Sequence, residues 1–169
     1  MISKKIEQAL NDQINSELYS SYLYLAMAAY FDSENWRGFA SWMKVQSQEE
    51  LVHAMKIYGF VNERGGRVTL KAIDVPPAAW KSPMAAFQAA YKHEQLVTSR
   101  INNLVELATK EKDNATNVFL NWFVSEQVEE EASVDVVVKN LEMAKDMVCA
   151  IAMIDQQLGQ RKFSRPQGE

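Results

Sequence analysis

A chain of 169 residues, 47% hydrophobic and 24% charged, is long enough to bury one continuous core, so a single domain over residues 1–169 of ordinary globular composition is expected. A formal charge of −4, with Lys and Arg scattered among acids, disfavours nucleic acid as the main partner. The lone Cys149 excludes an internal disulfide framework. No apolar run approaches membrane-spanning length and the amphipathic start lacks a signal-peptide core, so a cytoplasmic protein is expected.

Residues 3–64 contain no proline and only Gly38 and Gly59, which demands long helices. The turn-like cluster Asp32-Ser33-Glu34-Asn35 divides this block into a helix over about 4–31 and a second over 35–64, and could also cap the second. Gly65-Gly66 opens a linker that contains Pro76-Pro77 and ends at Ser82-Pro83, a favourable start for a third helix over about 83–111. Lys112-Asp113-Asn114 then breaks the chain before a fourth helix over 114–141, and a short fifth, over 146–158, precedes a polar tail. Four helices of roughly 28 residues span about 42 Å each. The first two should be antiparallel neighbours, as should the third and fourth. The linker is long enough to run the length of the bundle, which makes the second and third helices parallel. This all-α architecture, a four-helix bundle with one long crossover and a short fifth helix, is the ferritin-like topology.

Helical spacing gives each long helix a stripe of core positions. The stripes read Ile6, Leu10, Gln13, Glu17, Ser20, Tyr24, Met27 and Phe31; then Phe39, Met43, Gln46, Glu50, His53, Ile57 and Phe60. The third and fourth read Phe87, Ala90, Glu94, Val97, Ile101, Leu104 and Ala108; then Leu120, Phe123, Gln127, Glu130, Val134, Val137 and Leu141. Each is apolar at its ends and polar at its centre. Glu17, Glu50, His53, Glu94, Gln127 and Glu130 fall at similar heights, and the stripes place no basic side chain beside them. Buried carboxylates at such density are too costly to stay ionised unless cations neutralise them. Glu50 and His53, three residues apart on one helix, can ligate one metal together while Glu50 bridges to a second. This Glu-x-x-His unit, with a glutamate from a partner helix, is the ligand pattern of carboxylate-bridged di-iron bundles. A set rich in oxygen with one nitrogen suits iron or manganese better than a closed structural zinc site.

The segments Asn15-Ser16-Glu17-Leu18-Tyr19-Ser20, Gln48-Glu49-Glu50-Leu51-Val52-His53-Ala54-Met55, Tyr91-Lys92-His93-Glu94 and the run from Phe119 through Glu131 resemble the non-haem ferritins of bacteria and archaea, in order and separation, over nearly the whole chain. The resemblance implies that Glu17, Glu50 and His53 hold a first iron, and that Glu50, Glu94 and Glu130 hold a second. It gives Gln127 and Tyr24 catalytic roles, Gln127 hydrogen-bonding near the oxygen site and Tyr24 supplying an electron. Glu49, Glu126 and Glu129, with Glu130, match a third iron site. The implied activity is oxidation of Fe(II) with O₂ or peroxide, followed by storage as a ferric mineral inside a homo-oligomeric shell, a 24-mer.

Departures narrow the resemblance. Gln127-x-x-Glu130 stands where a symmetric di-iron site has a second Glu-x-x-His. Leu51 replaces the haem-ligating methionine of bacterioferritins, so no haem is expected. The lack of a Cys-x-x-Cys pair disfavours rubrerythrin-like chemistry. His93, off the stripe, is read as a non-ligand, Glu131 as a solvated acid and Cys149 as a buried small hydrophobe. Tyr24 has an alternative role as a core tyrosine bonded to a carboxylate such as Glu94. Two other classes stay open: a di-iron oxidase acting on an organic substrate, and a purely structural helical assembly.

Overall fold

A computed structural model describes residues 2–145 and 147–164. Among them five helices follow one another: α1 Lys4–Ser33, α2 Arg37–Glu63, α3 Pro83–Lys110, α4 Asn114–Ala144 and α5 Val148–Leu158. Every predicted helix is present. The first runs on past Phe31 and the fourth past Leu141, because no breaker stops either at the expected residue. The expected start of the fifth helix, Asp146, and the last residues of the polar tail, 165–169, lie outside the described residues.

Local chemistry sets the helix ends. Ser82 Oγ accepts from Ala85 N at 3.1 Å with Pro83 in the first turn, as the sequence suggests. Asp113 Oδ1 accepts from Thr116 N at 3.0 Å, and both Asp113 oxygens accept from Arg64 at the far end of α2. The cluster before α2 behaves differently from expectation. Asp32 and Ser33 are taken into the last turn of α1, where Ser33 Oγ donates to Tyr30 O, and Asn35 adopts a left-handed φ of 62°. Trp36 is left at the cap position with no side-chain bond. The open amide of Phe39 instead donates to Asp155 Oδ1 of α5 at 2.8 Å.

Cross-helix pairings fix the topology. Ser21 meets Ser47 and Phe31 meets Phe39, so α1 and α2 are antiparallel. Ser20 meets His93 while Ser16 meets Arg100, so α1 and α3 are antiparallel too. Gln46 meets Glu130 and Phe60 stacks on Phe119 at 3.9 Å, so α2 and α4 are antiparallel. The second and third helices are therefore parallel. The crossover over residues 64–82 runs along α1: Arg67 N donates to Glu7, Thr69 N to Asn11 Oδ1 at 2.7 Å, and Trp80 packs on Tyr30. Buried Asn11 satisfies this backbone, since the crossover pairs with no strand among the described residues.

The core is split in two. One cluster gathers Tyr24, Met27, Phe31, Phe39, Met43, Phe87, Val134 and Leu141; the other gathers Ile6, Leu10, Ile57, Val61, Ile101, Leu104, Leu120 and Phe123. Between them lies a buried polar waist. All stripe positions are buried except Phe60, which is partly covered through its stack on Phe119. Cys149, expected inside, is exposed, because α5 buries none of its residues within the single chain. No helix among the described residues is long and apolar enough to cross a membrane.

Candidate metal centre

Regular α-helix at mid-bundle aims the polar stripe residues of four helices at one another. On α2, Glu50 and His53 share a face, with His53 Nδ1 3.4 Å from Glu50 Oε2. Ligand atoms of Glu17, Glu50 and His53 lie within 4.8 Å of one another, and so do those of His53, Glu126 and Glu130. Two glutamines brace the waist from within their own helices. Gln13 Nε2 donates to Glu17 Oε1 at 2.7 Å, and Gln46 Nε2 donates to Glu50 Oε1 at 3.3 Å and to Glu130 Oε2 at 2.5 Å. The rings of Trp122 and Phe123 pack edge-on against His53, with centroids at 5.5 and 6.1 Å, and hold its plane.

The electrostatics are those of a site awaiting positive charge. Burial pushes the Glu17 carboxyl up to about 8, with the neighbouring Glu50 adding to the rise. Burial, then Glu94, raises Glu130 to about 7. Glu50 is driven well above the carboxylate range by burial and then by Glu94 and Glu130, and burial raises Glu94 as well. Glu17 Oε2 and His53 Nε2 are buried with no hydrogen-bond partner; Glu126 Oε1 is the acid facing His53 Nε2, at 3.9 Å and too far for a bond. Native interiors rarely leave such atoms unmatched. The orphaned oxygen belongs to the group of Glu17, Glu50 and His53 and the orphaned nitrogen faces the Glu126 side of the same histidine, so each of the two converging groups holds an unmatched donor of the kind a divalent cation completes.

The structure gathers Glu17, Glu50, His53, Glu126 and Glu130. Glu94 faces the same waist, but its oxygens are engaged elsewhere. Tyr24 Oη donates to Oε1 in a short hydrogen bond, and Gln127 Nε2 donates to Oε2 at 3.2 Å. Glu94 therefore lies outside both converging groups, which makes Tyr24 and Gln127 its holders. Glu129 is exposed and reaches neither group, while Glu49 lies at the rim, hydrogen-bonded to Arg161. His93, read as off the stripe, is buried between Tyr19 and Tyr24, where Ser20 Oγ lies 2.8 Å from Nε2. Burial and then Arg100 push its imidazole down to about 4, so it stays neutral. Glu131 is only partly solvated and accepts from Thr98 at 2.5 Å.

Gln13 and Gln46 belong to the stripes, yet stripe membership alone does not reveal that they brace the acids. Their signal is a Gln-x-x-x-Glu spacing repeated on α1 and α2, which puts each amide one turn before a ligand. Arg161 leaves no such signal. The stripes carry no basic side chain beside the central glutamates, and Arg161 reaches the rim acid Glu49 from beyond α5 rather than from a bundle helix.

Known proteins of similar sequence and fold identify the family. The family model described as a ferritin-like domain matches residues 7–144. A bacterial non-heme ferritin of Bacteroides fragilis is 46% identical over 161 residues, covering 95% of this chain and 100% of that one. One of Staphylococcus aureus is 41% identical over 163 residues, covering 96% and 98%. Among solved structures, the open-pore ferritin of the hyperthermophilic archaeon Archaeoglobus fulgidus is similar at a TM-score of 0.95 and 54% identity, covering 96% of this chain and 100% of that one. With a matched family, a converging set of acids around one histidine, and relatives of full length, the chain belongs to the ferritin family, among the non-haem ferritins of bacteria and archaea.

Proposed function

We propose that this protein stores iron, oxidising Fe(II) at the polar waist of each chain and keeping the ferric product inside a shell of identical copies in the cytoplasm. The observation that carries the reading is the two orphaned donors, Glu17 Oε2 and His53 Nε2, inside a waist of raised carboxyls whose buried centre holds no Lys or Arg among the described residues. Glu17, Glu50 and His53 hold one ferrous ion; Glu50, Glu130 and Glu94 hold the second once Glu94 turns from Tyr24. The two ions each lose one electron, and O₂ takes both electrons with two protons to reach the peroxide level. Anionic oxygen ligands favour the ferric state, which is the protein's main contribution to the reaction. Gln13 and Gln46 keep Glu17, Glu50 and Glu130 aimed inward, so Glu94 is the ligand that must move on loading. Tyr24, bonded to Glu94, is placed to supply a further electron.

Assembly is supported by exposed apolar side chains that a single chain leaves uncovered: Leu25, Leu51, Met55 and Tyr58 on α1 and α2, and Val148 and Met153 on α5. The test is an aerobic ferrous titration of size-fractionated protein. Fast oxidation should saturate at two irons per chain and then continue into a large soluble core. Oxidation no faster than in buffer, or iron that fails to co-elute with protein, would refute the reading.

A further inference from the structure

Arg161 lies in the segment that leaves α5, far in sequence from every candidate ligand, yet its guanidinium sits at the rim of the waist. Nη2 donates to Glu49 Oε2 at 2.5 Å and Nη1 donates to Gln46 Oε1 at 2.8 Å. The guanidinium carbon is 4.6 Å from the centre of the Trp42 ring. The Glu49 side chain is only 12% exposed and that of Arg161 25%, so this is a largely desolvated, charge-assisted contact and not a loose surface pair. It also sets an amide. With its oxygen taken by Arg161, Gln46 must present its nitrogen to Glu130 and Glu50.

The seat of α5 fixes where Arg161 can reach. A Cβ on Gly38 would lie 1.6 Å from Asp155 O, and one on Gly159 would lie 3.2 Å from Gly38 Cα, so the two backbones approach at a contact only glycine permits. Asp155 adds the bond to Phe39 N at the start of α2. From that anchor the following residues lead along α2 to Trp42, Gln46 and Glu49.

We infer that Arg161 is a built-in cation at the outer carboxylate Glu49, occupying the charge position that a third metal ion between Glu49 and Glu126 would take, so that metal enters there only by displacing it. The inference rests on the two-metal reading above. A divalent ion and a guanidinium compete for the same carboxylate oxygens and repel each other across a few ångströms. The coupling is reciprocal: Arg161 weakens outer-site binding by the same factor by which metal loosens the hold on Arg161.

Calorimetric titration of the metal-free assembled protein with Zn²⁺ tests it. Wild type should take up two tighter ions and one weaker ion per chain. Arg161→Gln should tighten the third event by about tenfold, the scale of one charge-assisted contact, and Glu49→Gln should abolish that event. Arg161→Lys keeps the charge and should stay within about threefold of wild type. An unchanged third constant in Arg161→Gln overturns the inference, as does an equal gain in Arg161→Lys. Loss of the two tighter events from wild type would sink the two-metal reading itself and take this inference with it. Should Arg161→Gln fail to assemble, hydrogen exchange on wild type still decides. The amides of Gly159, Gln160 and Arg161, bonded at the end of α5, should exchange faster as the third ion binds, and no change refutes displacement.

Discussion

Replacing Glu17 by glutamine removes one buried proton site while keeping an oxygen for Gln13 to bond. In the folded, metal-free protein Glu17 titrates at about 8, against 4.5 for an ordinary glutamate. The folded state therefore holds a proton that the unfolded chain has already released. This contribution to stability is complete below about pH 4.5 and is lost as pH rises through 8. At about 1.4 kcal/mol for each pH unit crossed, the loss between pH 6.5 and 8 is about 2 kcal/mol. That window avoids His93, whose depressed value of about 4 against 6.5 works in the opposite sense and is spent above pH 6.5. Guanidinium unfolding in a chelator should thus show wild type losing stability from pH 6.5 to 8. Glu17→Gln should lose about 2 kcal/mol less, its remaining slope coming from Glu130 and the other raised carboxyls. Saturating Zn²⁺ should reverse the wild-type trend, because metal binds the deprotonated form. Parallel pH profiles for wild type and Glu17→Gln without metal would refute the reasoning.

Glu50→Ala or His53→Ala should slow ferrous oxidation in stopped-flow by more than about 100-fold, since even partners outside the ligand set commonly cost 10–100-fold, while size-exclusion elution stays unchanged. Tyr24→Phe frees Glu94 Oε1 and removes a redox-active ring; iron stoichiometry should hold while oxidation kinetics or radical yield change, and identical traces would argue for a packing role. Asp155→Ala removes a side chain bonded to the open start of α2 and should cost about 1 kcal/mol in unfolding experiments. Gly38→Ala should cost more, about 1–3 kcal/mol, because α5 must shift to admit the methyl group.

The bundle was legible because its signals are local and redundant. Proline-free blocks, caps such as Ser82, and stripes at helical spacing all point the same way. The central acids were legible for a related reason: a glutamate among Phe123, Val134 and Val137 contradicts its surroundings and demands an explanation. What escaped depends on contacts that no window of sequence contains. The cap on α2 comes from Asp155, more than a hundred residues on, and Arg161 reaches Glu49 only because Gly38 and Gly159 let two backbones touch. Cys149 was misplaced because α5 has an apolar composition but only one face of it rests on the bundle, leaving Cys149 uncovered. Glu94 shows another limit, since spacing brings a side chain to the waist but cannot say which neighbour holds its oxygens.

The division of the core has a consequence for how the molecule moves. The two apolar clusters at either end can each hold their helix segments, while the stretch between them is stitched by glutamine amides and protonated acids. In most helical bundles the ends fray and the middle is the last part to open. Here the two apolar halves are joined by unbroken helices and, at mid-height, by polar contacts whose strength depends on the charge the acids carry. Metal at the waist would weld them, so that its arrival is sensed at both ends of a bundle more than forty ångströms long by the ~1.5 Å rise per helical residue. Rigidity along the whole chain then becomes a function of what it carries.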